Sequence, residues 1–179
     1  MIAESFYVMR LLLIWALVND PFSLTVIPGN GSFVSGDQIK ITINITNISD
    51  DEIVLIDTGG YCDYSILVTY ADGTNVPETD FKRSLRCNGP LIYNTDSNDS
   101  NRSSNRHGEA KGGITGKRSL VRLKAHESKQ QELDVGILYD MRQPGNYVVQ
   151  VRREIPKGLG TGIVTSNQAV IIILSATGR

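Results

Sequence analysis

Cys62 and Cys87 are the only cysteines in the sequence. In an oxidising compartment they would close a loop of about 26 residues, contributing roughly 3 kcal/mol through loop entropy. In a reducing compartment they would instead be buried thiols. Two cysteines with two histidines argue against a structural zinc site, so no metal is expected. His107 and His126 are the only histidine bases for nucleophilic catalysis. His107 lies in a polar stretch, and His126 lies in Lys124-Ala-His-Glu-Ser128, a predicted turn between strands. Neither neighbours a Gly-x-Ser-x-Gly elbow, and the chain contains none. No catalytic residue is assigned, and the expectation is a protein that is not an enzyme.

Other chemical motifs fail on spacing. Gly112-Gly-Ile-Thr-Gly-Lys-Arg-Ser119 imitates a phosphate loop but has too short an interval between glycines, and Arg118 stands where the magnesium-binding hydroxyl is needed. Gly158-Leu-Gly-Thr-Gly162 precedes an apolar strand rather than a helix, so it reads as a hairpin loop and not as a dinucleotide fingerprint. Asp96, Asn98 and Ser100 have calcium-loop spacing, but Asn101 replaces the glycine and His107 the bidentate glutamate. No cofactor is expected. Asn30, Asn44, Asn47, Asn98 and Asn101 each begin an Asn-x-Ser/Thr sequon, which a composition rich in these residues produces by chance.

What remains is recognition. Residues 94–113 contain no apolar side chain larger than alanine, so burial cannot offset their ordering entropy and a mobile insertion is expected. Within it, Arg102, Arg106 and His107 form the candidate binding surface, because loops carried on a rigid scaffold are where recognition concentrates. With Lys+Arg 18 against Asp+Glu 19, the net charge is −1. That balance argues against nucleic acid and against an anionic membrane held by bulk electrostatics. A protein or a glycan is the expected partner.

The elements that must position these residues are strands. Ile39, Ile41, Ile43 and Ile45 alternate with Lys40, Thr42 and Asn44, placing the isoleucines on one face. Ile53–Ile56, Ser65–Tyr70, Ser119–Leu123 and Gln130–Val135 read as further strands, with Asp72-Gly73 a turn signal after the second. Phe81–Arg86 reads as a strand neighbouring Cys62. Tyr147, Val149 and Val151 alternate in another, and Ile163–Leu174 is the last. Its run Ala169–Leu174 is apolar throughout, which predicts a fully buried strand. Seven or eight strands without an amphipathic helix predict an all-β antiparallel sandwich, spanning residues 21–176.

Residues 1–20 stand apart. Arg10 precedes the apolar run Leu11–Val18, which Asn19-Asp-Pro21 ends. This is the outline of a secretory signal, although Glu4 and the missing small-x-small cleavage pattern also fit a stray N-terminal segment. The run is too short to span a bilayer, so no transmembrane segment is expected. The predicted location is periplasmic or secreted, with the cytoplasm as the alternative.

Asp37–Asn47, Cys62-Asp-Tyr64 with Asp72-Gly73 and Val76-Pro77, Leu138–Val151 and Val164-Thr-Ser-Asn167 together resemble bacterial exported immunoglobulin-like β-sandwich proteins. The resemblance covers about residues 22 to 175. It implies an immunoglobulin-like fold, and it makes Tyr147 of Pro144-Gly-Asn-Tyr147 a structural tyrosine corner, its hydroxyl bonding back to nearby backbone. The segment from Asp57 to Asn75 is also weakly similar to the bacterial intracellular proteinase inhibitor family. That similarity implies proteinase inhibition as the alternative function, but the tryptophan expected soon after the Asp-Gly turn is absent and Pro77 stands nearby instead.

Overall fold

The computed structural model describes residues 20–85, 87 and 119–176. The N-terminal run Leu11–Val18 and the insertion 94–113, with Arg102, Arg106 and His107, lie outside the described residues. Among those described, the elements are β1 (Phe22–Pro28), β2 (Ser32–Val34), β3 (Lys40–Asn47), β4 (Ile53–Asp57), β5 (Ser65–Tyr70), helix α1 (Asp80–Ser84), β6 (Ser119–Leu123), β7 (Ser128–Asp134), β8 (Gly145–Glu154) and β9 (Ile163–Leu174). A single 3-10 turn covers Val135–Ile137.

One sheet has the order β1-β3-β7 and the other β2-β9-β8-β5, with β4-β6 as a separate pair. All pairings are antiparallel except β2 with β9. This is an all-β sandwich with immunoglobulin-like strand order: consecutive strands are divided between two faces, and the last two strands are adjacent. The isoleucine face behaves as its alternation predicts. Ile39, Ile41, Ile43 and Ile45 share one buried core with Tyr147, Val149 and Val151 of β8. Each such side chain contributes about 1.5–3 kcal/mol of burial.

Among the described residues there are nine strands, β1 and β2 joining those read from periodicity. Two expectations need correction. Phe81–Arg86 is not a strand. Its first residues belong to α1, where the Thr79 hydroxyl accepts from the Lys82 N–H at 3.3 Å, and Glu78–Lys82 and Asp80–Arg83 pair at helical spacing. The last strand is not fully buried either. Ala169, Ile171 and Ile173 point into the core, while Val170, Ile172 and Leu174 face outward.

The two sheets are tied together at an irregularity in β9. The register shifts between Gln150 and Arg152, so two residues of β9, Ser166 and Asn167, oppose Val151. This is the count of a β-bulge. The Ser166 hydroxyl accepts from the Val151 N–H at 2.9 Å, satisfying a buried donor that the ladder leaves over. Asn167 is thereby turned toward β1 of the opposite sheet, where it bonds Val26.

Candidate binding cleft beside the cysteine pair

Cys62 and Cys87 stand at disulfide distance, with Cα atoms 5.1 Å apart, within the span a disulfide needs. Cys62 sits in a tight turn organised by Asp63. Its carboxylate accepts from the Thr58 N–H at 3.0 Å, the Thr58 hydroxyl at 2.7 Å and the Gly60 N–H at 3.1 Å. Gly60 has φ +100°, a backbone conformation that favours glycine, and a Cβ there would push aside the ends of the Gln131 and Leu133 side chains of β7. The cysteine pair fastens this turn to the segment following α1. The Tyr61 and Phe81 rings reinforce the contact, meeting edge to face at 5.9 Å.

The other flank of α1 is fixed just as firmly. The Thr79 N–H donates to the Leu138 carbonyl and the Asp140 N–H to the Pro77 carbonyl, each at 2.9 Å. Lys82 runs over the Tyr139 ring and donates to its hydroxyl, which in turn donates to the Ile66 carbonyl at 2.6 Å. Between these anchored segments lies a surface cleft of about 440 Å³, lined by Pro77–Asp80, Arg83, Gly136, Tyr139, Asp140 and Arg142. Its walls carry both signs of charge. Arg142 makes a bidentate pair with Asp140, both contacts 2.7 Å, and the guanidinium holds the Asp140 carboxyl below the usual carboxylate range. Arg83 pairs with Asp80 at 2.5 Å and also donates to the Glu78 carbonyl.

The cleft presents the carboxylates of Glu78, Asp80 and Asp140, the guanidiniums of Arg83 and Arg142, and the hydroxyl-bearing Thr79 and Tyr139. Among the described residues no group of three His, Cys, Asp or Glu side chains is placed to hold a metal ion. His126 lies elsewhere, in the turn before β7 with φ +61°, its Nε2 3.6 Å from Asp50. Tyr147 makes a corner: its hydroxyl donates to the Gln143 carbonyl at 2.6 Å, and its ring lies 5.3 Å from that of Tyr70. Among the sequons, Asn47 is fully buried, and its amide donates to the Asp51, Leu123 and Lys124 carbonyls.

The cleft residues were absent from the sequence-based candidates. They come from two stretches more than fifty positions apart, 77–83 and 136–142, each unremarkable alone. The one local signal is Asp140-Met-Arg142, an acid and a base two residues apart just before the tyrosine corner. No protein-family model matches the chain, and neither does any curated protein sequence. Among the described residues, no helix is long and apolar enough to cross a membrane.

Proposed function

We propose that this chain is a non-catalytic, exported binding module of the bacterial immunoglobulin-like type, recognising a protein or glycan through one end of its sandwich. The observation that carries this reading is the mixed-charge cleft between α1 and the Tyr139–Arg142 segment, built on backbone that the cysteine pair and Tyr139 immobilise. Preorganised polar groups lose little freedom on binding, which is where affinity is otherwise spent. Paired guanidiniums and carboxylates suit a neutral polar ligand, such as a sugar or an extended peptide, better than a strongly charged one. Arg102, Arg106 and His107, which lie outside the described residues, stay candidate contact residues in this reading. An exported location suits the cysteine pair, because disulfides persist in oxidising compartments.

Probing the purified chain on glycan and peptide arrays tests the proposal. It predicts selective binding that Arg142→Ala weakens at least tenfold and that Thr42→Ala, on the opposite sheet, leaves unchanged. Binding indifferent to Arg142, or none to either class, would sink it. Inhibition of a proteinase panel, measured on the same preparation, would instead favour kinship with the proteinase inhibitors.

A further inference from the structure

The two ends of the cysteine bridge are anchored very differently. The Cys62 side holds its shape without the bridge. Its turn is closed by the hydrogen bonds to the Asp63 carboxylate, and the Tyr61 hydroxyl accepts from the Asp134 N–H at 3.2 Å. Strand β5 follows at once, paired along its whole length with β8. The Cys87 side is α1 and the residues just after it. Helix α1 has five residues, and none of them is buried. A helix this short has no stability of its own, because its few hydrogen bonds do not offset the cost of nucleation. Its N-terminal end is held by Thr79, whose N–H donates to the Leu138 carbonyl at 2.9 Å and whose hydroxyl donates to the Ile137 carbonyl at 2.5 Å. Its C-terminal side is fastened by the Phe81 ring against Tyr61 and, covalently, by Cys87.

The bridge is also within reach of solvent. Cys87 is exposed and Cys62 half-buried, and exposed disulfides are the reducible ones. Opening it would remove no buried side chain from the core, since α1 supplies none. What α1 does supply is one wall of the cleft, through Asp80 and Arg83. Arg83 is set by its bonds to Asp80 and to the Glu78 carbonyl, so its place in the cleft depends on α1 being formed. The facing wall is set from elsewhere. There the Ser35 hydroxyl donates to the Arg142 carbonyl at 2.5 Å, and the Arg142 guanidinium pairs with Asp140.

We propose that the Cys62–Cys87 bridge is a redox latch on α1: closed, it holds the Asp80 and Arg83 wall of the cleft in place, and opened by a dithiol it lets residues 80–85 unravel while the sandwich stays folded. Gating of a ligand rests on the reading of this cleft as the binding site; the release of α1 does not. The chemistry is ordinary exchange. One thiolate of the dithiol attacks the exposed Cys87 sulfur, the S–S bond breaks, and Cys62 leaves as a thiolate that takes up a proton. The second thiol of the reductant then closes on the first, displacing Cys87. Two electrons and two protons pass to the cysteines, and the dithiol ends as a cyclic disulfide. The unravelling stops at Thr79, whose bonds to Ile137 and Leu138 the exchange does not touch. This is local unfolding of an element with few buried contacts, and the strands beneath keep their own stability.

Amide hydrogen exchange on the full chain, read segment by segment, is the test. The oxidised protein is compared with the same protein opened by dithiothreitol without denaturant, and with the Cys62→Ser, Cys87→Ser double variant. In both bridgeless forms the amides of 80–85 should exchange about tenfold faster or more, while those of β3 and β8 keep their rates. Reoxidation of the native chain with oxidised glutathione should restore the slow exchange, which keeps the test open if the double variant fails to fold. Unchanged exchange over 80–85 would overturn the latch, as would a bridge that resists dithiothreitol in the folded protein. Loss of protection in β3 and β8 as well would overturn it too, making the bridge a staple of the whole fold. On the glycan and peptide arrays, the oxidised form should bind about tenfold more tightly than the reduced one, and equal binding by the two would contradict the gating. Arrays blank for both forms would sink the binding reading, and the exchange rates alone would then decide the latch.

Discussion

Asn167 satisfies both backbone polar groups of Val26: its Oδ1 accepts from the Val26 N–H at 2.9 Å, and its Nδ2 donates to the Val26 carbonyl at 3.1 Å. The side-chain amide thus stands in for a neighbouring strand, joining β9 of one sheet to β1 of the other. The β-bulge at Ser166–Asn167 aims it there, and the Ser166 hydroxyl covers the donor that the bulge orphans. A local fault in one ladder becomes the bond between the two layers.

Asn167→Ala should therefore cost about 2 kcal/mol, since two hydrogen bonds go and the part-buried Val26 N–H is left without its acceptor. Asn167→Asp keeps an acceptor for the N–H but sets a carboxylate against the Val26 carbonyl, so it should also destabilise. Urea unfolding followed by circular dichroism measures both. A change within 0.5 kcal/mol for Asn167→Ala, the range of ordinary surface substitutions, would mean that the bridge is not energetically significant.

Tyr147→Phe removes the hydroxyl that bonds Gln143 but keeps the buried ring beside Tyr70. The expected loss is about 1 kcal/mol, at the mild end because the exposed Gln143 carbonyl can turn to water. Thermal unfolding of the two proteins side by side reads the difference directly.

Much of this architecture is legible in the residues. Ile39 to Ile45 alternate strictly, and one register of β3 then follows, because a slip by one position would expose all four isoleucines. The end of the chain is harder. In Ala169–Leu174 both faces are apolar, so no alternation distinguishes core from surface, and only the structure shows that Val170, Ile172 and Leu174 face outward. The five-residue helix was misread because Phe81 and Leu85 are its only apolar markers, while its formation depends on Thr79 and on ion pairs. The cleft escaped for a different reason: pairing of 77–80 with 138–140 is a tertiary event with no local pattern.

Ile43 offers a severe test of the core. It is fully buried, so Ile43→Ala should cost between about 2 and 5 kcal/mol, and Ile43→Asp, which would bury an unpaired charge, should prevent folding. Far-ultraviolet circular dichroism of the aspartate variant checks the second outcome, and a native-like strand spectrum would contradict it.

Acid should destabilise the fold in part through Asp57. Burial pushes its carboxyl upward, but the Lys129 ammonium and the Gly59 N–H outweigh that, and the net shift is downward from 3.8. A carboxyl with a lower value in the folded state contributes stability above its unfolded value, and that contribution fades as pH falls through the folded one. Asp57→Asn should consequently melt below the native protein at pH 7. The gap should narrow as pH drops past 3.8 and close under stronger acid. A gap independent of pH would mean that Asp57 acts through packing alone.

Export is the claim on which the cysteine bridge and an extracellular ligand both depend. Fractionating cells, blocking free thiols at harvest and mapping Cys62 and Cys87 by mass spectrometry tests it most directly. The account predicts protein in the periplasmic or secreted fraction, with the two cysteine peptides linked and neither thiol alkylated. Cytoplasmic protein carrying two alkylated thiols would contradict it.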